Sequence, residues 1–415
     1  MSEIDPAAAC LPVLPEDVVT VILDRVPDLV SLFRCSVVCK RWRRLVSDPV
    51  FLRRRWPEGC SSLGRPSLLG FFVHRDRINT SAKRKISRLY PSLSPVFVPV
   101  PDSVLGPERR FLTSFIRDDA GILDDAKPLV ARGGLLLVRI TPRSLDKNNV
   151  LCLCMCNLLT GRRELLPPLD ASLLDDNGVT GYSLVTAADH DAGPHPLADG
   201  YSNLFQVLLI GVARENWRLH LYKFSSAAGE SQGWHSYDCR QPVSLSGPFE
   251  CRIAVVACGT SQWLFQGNDA NNQRLYTLDV SINSGHISLT FTMLQFDELT
   301  HPIGSFLPSA WLCTIDARLA LLCARSNQLE IWSRLYHQNG TLRWHPTQSI
   351  RMEINLFGEP LSPVCFIENS DAVLVLYHSD PEFAYLLDLQ FGSVTKVAGW
   401  TRSFNYMTAV SYEIN

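Results

Sequence analysis

One strand-like pattern recurs five times from about residue 130 onward, and this repetition restricts the possible folds more than any other feature of the sequence. Apolar runs return at intervals of roughly 55 to 70 residues: LLLVRI from 135, FQVLLIGVA from 205, WLFQG from 263, LALLCA from 319 and AVLVLYH from 372. A second run trails each of them by about ten residues: VLCLCMC from 150, RLHLYKF from 218, RLYTLDV from 274, LEIWSRL from 329 and FAYLLDL from 383. Each second run is closed by a glycine, at Gly161, Gly229, Gly285, Gly340 or Gly392. Glycine suits such positions because hairpin turns need residues with positive φ.

Further short runs before and after each pair bring every repeat to about four strands, bounded by Gly, Pro, Asn and Ser. Four-stranded units that repeat every ~40 to 60 residues are typical of propeller blades. The runs LLGFFV from 68, VFVPV from 96 and YMTAVSYE from 406 have no complete repeat of their own. We expect them to pair as a composite sixth blade, because closing the ring removes exposed strand edges. The sequence therefore predicts about six blades, with seven as the alternative.

Residues 14 to 56 carry a different pattern, with apolar residues at helical spacing. Pro15 suits the opening turn of a first helix, on which Val18, Ile22 and Val26 share one face with Val19 and Leu23 beside it. A unit of about 45 residues is too small to bury this apolar surface alone. We expect it to lean on a partner or on the rest of the chain, and we expect the large ring to have its own core and to fold independently of it.

This helical unit resembles an F-box. The matching landmarks are Leu14-Pro15-Glu16-Asp17, Ile22-Leu23, Val38-Cys39-Lys40-Arg41-Trp42 and Ser47-Asp48-Pro49. The resemblance implies that the unit inserts apolar side chains into an SKP-family adaptor, which in turn holds a cullin. Carried over residue by residue, it assigns adaptor contact, or support of a contact, to Leu14, Pro15, Ile22, Leu23 and Val26, and places Val38, Cys39 and Trp42 on the later landmarks. For Leu32, Phe33 and Val37 we expect internal packing instead.

The large C-terminal part resembles the F-box-associated propeller domains of plants. The local matches are Gly133-Gly134-Leu135-Leu136 and Asn157-Leu158-Leu159-Thr160-Gly161 followed by Leu166-Pro167-Pro168, although Leu158 stands where that family usually has proline. Together the two resemblances imply a non-catalytic, substrate-recognition subunit of an SCF-type ubiquitin ligase, whose propeller recruits a protein substrate. The alternatives are a propeller that senses a small molecule or a glycan, with the F-box as output, and a propeller enzyme such as a kelch-type oxidase.

The predicted fold class is α+β multidomain, a small N-terminal helical F-box followed by an all-β propeller. We expect a flexible N-terminus over 1–12, the F-box over 13–58, a linker with the first propeller strands over 59–110, and the propeller over 111–415. The net charge of −2 argues against a general nucleic-acid binder. The acidic N-terminus and the lack of a long apolar stretch favour neither secretion nor a membrane, so we expect the cytoplasm, the nucleus or both.

No cofactor or metal is expected. Cys152, Cys154 and Cys156 occupy alternate positions of one predicted strand, but a zinc site needs donors from separate turns, so we interpret them as core residues. The basic stretch 40–55 is predicted to be a solvated helix face, with a nuclear-import patch or a phosphate contact as the alternatives. The tryptophans of the repeats are predicted to lie in the blade core.

Overall fold

The computed structural model describes residues 14–414 with breaks, the longest of which are 52–66, 76–93, 142–149, 190–204, 295–309 and 352–360. The predicted flexible segment 1–12 lies outside the described residues, as do Gly229, Gly285, Gly340 and Arg53 to Arg55. Three helices come first: α1 (Glu16–Asp24), α2 (Leu29–Val38) and α3 (Lys40–Val46). Helix α1 begins directly after Pro15, and its first turn carries Glu16 and Asp17, whose charges complement the positive end of the helix.

The strands form six antiparallel sheets, each of which is one blade of a propeller. Blade 1 consists of β1 (Ser67–Arg75), β2 (Val96–Pro99), β3 (Arg110–Phe111) and β26 (Phe404–Ile414). Blade 2 consists of β4 (Lys127–Arg132), β5 (Leu135–Ile140), β6 (Val150–Asn157), β7 (Arg162–Leu165) and β8 (Leu169–Asp170). Blade 3 consists of β9 (Leu174–Thr186), β10 (Phe205–Ala213), β11 (Leu219–Ser225) and β12 (His235–Cys239).

Blade 4 consists of β13 (Ser244–Leu245), β14 (Val255–Ala257), β15 (Thr260–Asp269), β16 (Asn272–Asn283) and β17 (His286–Met293). Blade 5 consists of β18 (Ala310–Ile315), β19 (Arg318–Ala324), β20 (Gln328–Tyr336) and β21 (Leu342–Arg351). Blade 6 consists of β22 (Leu361–Ile367), β23 (Ala372–Tyr377), β24 (Asp380–Asp388) and β25 (Val394–Val397). The prediction of a helical unit followed by a six-bladed propeller is therefore confirmed.

The composite blade closes the ring in the predicted way. Strand β26 pairs with β1, and it also contacts β4 of blade 2 and β22 of blade 6. Contacts continue from β4 to β9, from β9 to β14, from β14 to β18 and from β19 to β22. Within blade 1, a Cβ at Gly70 would lie 2.3 Å from the carbonyl oxygen of Val98, so glycine is needed for β1 and β2 to approach. The C-terminal strand thus holds the two ends of the ring together.

The core of the ring is divided among the spaces between neighbouring blades. Strand β10 shows the reason: Val207 and Leu209 pack towards blade 2, whereas Leu208, Ile210 and Val212 pack towards blade 4. Because both faces of a blade are covered by neighbours, its inner strands read as nearly continuous apolar runs rather than as strict alternation. This explains why LLLVRI and FQVLLIGVA stand out in the sequence.

The helical unit packs into the space between blades 1 and 2. One apolar cluster, called the shared cluster below, contains residues of the helical unit and of both blades: Val19, Leu23, Leu32, Val46, Phe51, Leu69, Phe72, Phe97, Leu105, Leu112, Phe115, Ile116, Leu123, Ala126, Leu136, Val138, Ile140, Cys154, Cys156, Leu158, Val410 and Tyr412. The expectation that the unit leans on the rest of the chain is correct. The expectation that the ring has a wholly separate core is wrong at these two blades, because their apolar side chains and those of the helices bury each other.

Candidate functional site

Helix α1 has apolar side chains on two sides, and only one side is covered by the protein. Val19 and Leu23 are buried in the shared cluster, and Val26 just after the helix is half-buried against it. Val18 is 40% exposed, Val21 50% and Ile22 44%. The sequence analysis grouped Val18, Ile22 and Val26 on one face, but the structure places Val26 with the buried residues. The buried side anchors the helix, so the exposed side is available to another molecule.

Exposed apolar side chains concentrate on the helical unit. Of the ten large apolar side chains that are exposed in the described part of the chain, six lie between residues 14 and 50: Leu14, Val18, Val21, Ile22, Val38 and Val50. Val38, at the end of α2, is 66% exposed and Leu14, just before α1, is 50% exposed. We call Leu14, Val18, Val21, Ile22 and Val38 the docking face. A concentration of exposed apolar residues on one small unit marks an interaction surface.

Polar contacts connect α3 to the start of α1. The guanidinium of Arg41 donates a hydrogen bond to the carbonyl oxygen of Leu14, and Arg44 forms an ion pair with Glu16. Both arginines lie on α3, which begins two residues after Val38, so the start of α3 lies against the start of α1. The ion pair is exposed and contributes little stability, but it is consistent with a defined packing of α3 on α1.

The structure separates the eight residues assigned to adaptor binding into three groups. Leu14, Pro15, Ile22, Val38 and Cys39 are exposed, Val26 and Trp42 are half-buried, and Leu23 is fully buried. In the free chain Leu23 and Val26 therefore support the docking face from beneath. Leu32 is buried and Val37 half-buried, as expected for internal packing, whereas the side chain of Phe33 lies outside the described residues.

Sequence reasoning missed the exposed residues Val18, Val21 and Val50 as candidates for contact. Val18 follows Leu14 by four residues, and Ile22 follows Val18 by four residues, which is the helical spacing of one face. That spacing was visible in the sequence. What was not visible is which of the two apolar sides of α1 the ring covers.

The basic stretch does not form a single solvated face. The side chain of Arg44 is 68% exposed, as predicted for that face. Arg43, in contrast, is half-buried and its guanidinium donates hydrogen bonds to backbone carbonyl oxygens, among them Phe115 in the segment between β3 and β4. Burial lowers the pKa of Arg43. The interpretation of the whole stretch as a solvated face is therefore wrong at Arg43.

Cys154 and Cys156 lie in the shared cluster, as predicted for core residues, and Cys152 is half-buried against it. The hydrogen bond with Cys154, together with complete burial, raises the pKa of the Cys156 thiol well above its usual value. Within the described residues no group of three His, Cys, Asp or Glu side chains is arranged to hold a metal ion. Among the helices described here, none is long and apolar enough to cross a membrane.

The tryptophans of the ring serve mainly as core. Trp263, Trp332 and Trp344 are almost completely buried, as predicted, while Trp234 is half-buried and donates a hydrogen bond to the carbonyl oxygen of Pro167 over 2.7 Å. Trp217 lies outside the described residues.

One polar network joins three blades. Arg132, at the end of β4, donates from Nε to a carboxylate oxygen of Asp189 over 2.9 Å and from Nη2 to the carbonyl oxygen of Val256 over 3.4 Å. Asp189 also accepts a hydrogen bond from the backbone N–H of Thr186 over 2.8 Å. These hydrogen bonds connect β4 of blade 2, β9 of blade 3 and β14 of blade 4, so the network braces the three blades against each other.

Comparison with known proteins connects the helical unit to one family. The F-box-like family matches residues 11–56, which are 46 of the 415 residues of the chain. This range contains the whole docking face. No curated protein matches the chain.

Several solved structures resemble the chain weakly. The GH93 α-L-arabinofuranosidase of Fusarium graminearum is 9% identical with a TM-score of 0.36, and the match covers 65% of this chain and 79% of that one. The Nup133 β-propeller domain of Vanderwaltozyma polyspora is 13% identical with a TM-score of 0.26, covering 66% and 78% of the two chains. Drosophila Semaphorin 1b is 9% identical with a TM-score of 0.30, covering 85% and 97%. At such low identities and scores these likenesses carry no argument about function.

Proposed function

We propose that this chain is a substrate-recognition subunit of an SCF-type ubiquitin ligase, in which the F-box-like unit binds an SKP-family adaptor and the propeller recruits a protein substrate. One observation carries the proposal: the segment that matches the F-box-like family is also the segment where exposed apolar side chains concentrate. An architecture of F-box and propeller suits a subunit that binds two partners and catalyses no reaction. We further propose that it acts in the cytoplasm, the nucleus or both.

The docking face has the properties of an interface core. Its apolar side chains project from α1, from Leu14 just before it and from the end of α2, and both helices are held in place by the shared cluster beneath them. A pre-organised apolar surface loses little conformational freedom on binding, which leaves more of the burial free energy for affinity. Through the adaptor, the cullin would hold the ubiquitin-charged enzyme near a substrate on the ring. The subunit then acts by raising the effective concentration of the substrate.

We also propose that the ring is of the F-box-associated type described in plants. The support is local: Gly133 and Gly134, which form the turn between β4 and β5, have φ of 55° and 78°, and Gly161 after β6 has φ of 70°. Side chains rarely adopt these values, so the glycines of both matching motifs are required by the turns. Leu158, which replaces the usual proline, is buried in the shared cluster.

The test is a binding titration of the purified full chain with an SKP-family adaptor. The variant Ile22→Gln with Val38→Gln removes two apolar side chains from the docking face and keeps residues that suit a helix. Since truncating an anchor of this kind costs ~2 kcal/mol or more, the loss of two anchors should lower the affinity by at least several hundred-fold, on the order of 10²–10³. The matched control is Leu335→Gln, which changes a side chain of similar exposure on blade 5 and should bind like the parent. An unchanged affinity in the double variant contradicts the proposed function, as does a parent chain that binds no adaptor.

Candidate substrates can be identified with the same two proteins, the parent chain and the double variant. Proteins captured from cells with the cullin inhibited should be the same for the parent chain and for the double variant, while adaptor and cullin should be recovered with the parent alone. Candidates that disappear together with the adaptor would instead be adaptor-bound proteins and would argue against recruitment by the ring.

A further inference from the structure

We propose that Arg43 is a positioning residue that clamps the helical unit to the ring, so that the docking face has a fixed orientation relative to the propeller. The clamp itself is independent of the docking role, whereas its consequence for recruitment rests on the proposed function. The starting observation is that Arg43 behaves unlike its neighbour Arg44: it is half-buried and faces the ring, whereas Arg44 is largely exposed.

One guanidinium joins three parts of the chain. Arg43 lies on α3; its Nη1 donates to the carbonyl oxygen of Phe115 over 3.0 Å, and its Nε donates to the carbonyl oxygen of Ser36 on α2 over 3.3 Å. Its Nη2 lies 3.5 Å from the carbonyl oxygen of Ser114, at the limit of a hydrogen bond. A guanidinium is planar and offers five N–H donors in a fixed fork, so it can hold carbonyl groups from separate segments in one arrangement.

The ring provides a space shaped for this side chain. Gly161, which follows β6, has φ of +70°, and a Cβ there would lie 3.0 Å from Cδ of Arg43 and 3.3 Å from the carbonyl oxygen of Phe115. The positive φ requires glycine at this turn, and a Cβ there would also force the arginine stem to move by a few tenths of an ångström. Any other residue type would be strained in this backbone conformation.

The segment that accepts the hydrogen bonds is itself braced. Asp118, three residues beyond Phe115, forms an ion pair with Arg163 on β7 and accepts hydrogen bonds from the backbone N–H groups of Ile122 and Leu123. Phe115 is buried in the shared cluster beside residues of both blades. Arg43 thus binds a rigid part of the ring and not a mobile loop tip, so the orientation of α3 follows that of the ring.

A fixed orientation has a direct consequence for recruitment. If the helical unit could tilt on the shared cluster, a bound substrate would be spread over a larger volume around the adaptor, and its effective concentration at the ubiquitin-charged enzyme would fall. The clamp restricts that volume. It therefore acts on the geometry of the assembly without touching either partner.

The first test measures hydrogen exchange in the free full chain. The variant Arg43→Met keeps an apolar stem and removes the guanidinium, so the fold should persist. Since hydrogen bonds to charged groups are among the stronger ones, we expect the amides of α3 to exchange about 10-fold faster or more, while those of β10 and β11 are unchanged. The control is Arg117→Met, which removes a cation that is 80% exposed on the same segment as Phe115. Exchange of α3 at the parent rate in Arg43→Met overturns the proposal.

A double-mutant cycle tests the fit between Arg43 and Gly161. The strain of Gly161→Ala at positive φ is the same in any background, but its clash with the arginine stem exists only when Arg43 is present. We therefore expect Gly161→Ala to accelerate exchange of α3 more strongly in the parent than in Arg43→Ala. Equal effects in the two backgrounds contradict a close fit at this contact.

The last test separates positioning from folding. Spin labels carried by unnatural amino acids at Asp17 on α1 and at Leu335 on blade 5, both exposed, report the distance between the helical unit and the ring. We expect one narrow distance distribution in the parent and a measurably wider one in Arg43→Met, in which the shared cluster still holds the helices on the ring but no longer fixes their angle. Adaptor binding should be retained within about 3-fold because the docking face is unaltered. An equally narrow distribution in Arg43→Met overturns the role of Arg43. A broad distribution in the parent overturns the clamp. A parent that binds no adaptor defeats the proposed function only, because the exchange and distance measurements still decide the clamp.

Discussion

Asp118 shows how a single side chain can organise a connection that the sequence presents only as a polar loop. Its side chain is 1% exposed and is surrounded by donors: the Leu123 N–H over 2.6 Å, the Ile122 N–H over 3.0 Å and the Arg163 guanidinium. Burial alone would raise the pKa of this carboxyl, but the hydrogen bonds from Leu123, Arg163 and Ile122 outweigh it, and the pKa is lowered. The ionised form is therefore the one that stabilises the folded state.

We predict that Asp118→Asn lowers the free energy of unfolding by about 2 kcal/mol at neutral pH, because three charge-assisted contacts are lost or weakened. Since the folded pKa lies below the unfolded value of about 3.9, the stabilisation is complete above that value and is lost as the pH falls through the folded pKa. The difference between parent and variant should therefore shrink in acid. Denaturant unfolding at a series of pH values measures it.

The control for this prediction is Asp119→Asn, which changes a carboxyl that is 71% exposed and paired with Arg117 at the surface. It should leave stability nearly unchanged at every pH. A constant difference between Asp118→Asn and the parent from neutral pH down to strong acid would show that the ionised carboxylate is not the stabilising species.

At the scale of elements, α1 and β26 illustrate opposite degrees of predictability. Apolar residues of α1 at positions 18, 19, 22 and 23 predict a helix, yet together with Val21 they span about 200° of its circumference, more than half. Periodicity alone cannot say which side faces the ring, because both sides are apolar enough to be buried. For β26 the sequence shows a C-terminal strand that belongs to no complete repeat. Closing the ring requires it to pair with the early strands, and it pairs with β1.

We predict that a chain ending before β26 melts at a lower temperature than the parent or aggregates. The strand contributes Val410 and Tyr412 to the shared cluster and Ala409 to the cluster between blades 6 and 1. Its loss exposes the edge of β1 and removes the packing against β4 and β22. Thermal unfolding and light scattering measure both effects. A soluble deletion that melts like the parent would show that another strand closes the ring.

A single substitution in β26 tests ring closure without deleting the strand. The Tyr412 hydroxyl donates a hydrogen bond to the carbonyl oxygen of Gly134 in blade 2 over 2.9 Å. Tyr412→Phe removes this bond between blades and keeps the ring packed, so the free energy of unfolding should fall by about 1 kcal/mol. No change in Tyr412→Phe would mean that the hydrogen bond to Gly134 adds nothing to closure.

At the scale of the whole molecule, the shared cluster makes the ring depend on the helical unit. Removing residues before Ser67 deletes Val19, Leu23, Leu32, Val46 and Phe51 from the cluster and leaves the apolar side chains of blades 1 and 2 beneath them exposed to water. We predict that this fragment melts at a lower temperature than the full chain, with the earliest hydrogen exchange in blades 1 and 2. Burial of each such side chain contributes ~1.5 to 3 kcal/mol, so the loss is large compared with ordinary domain stability.

The control for this comparison is the full chain with Ile22→Gln and Val38→Gln, which changes the exposed surface of the helical unit and keeps its buried side. It should melt like the parent. A fragment from Ser67 that is as stable as the full chain would show that the helical unit and the ring are separate folding units. The same coupling predicts that adaptor binding, by stabilising the helices, also slows exchange in blades 1 and 2.

The sequence by itself determines those features of the protein that depend on patterns local to one stretch of the chain. The four-stranded repeats and the helices before them depend on spacing along the chain, as do the landmarks around Leu14 and Trp42. The helical unit, the six blades and the F-box-like segment were therefore all predicted. Ring closure was also predicted, because an unpaired terminal strand leaves an open edge. These features need no knowledge of which surfaces meet.

What only the tertiary structure decided is where the two parts of the chain meet. The buried side of α1, the place of Arg43 among carbonyl groups and the need for glycine at position 161 all depend on the contact between the helical unit and blades 1 and 2. Residues 43, 115 and 161 are far apart in the sequence. The sequence of a basic stretch also does not indicate whether its side chains face water or a backbone carbonyl oxygen. Burial is a property of the surfaces that come together, so it decided which residues of the F-box-like segment hold the protein together and which remain free to bind.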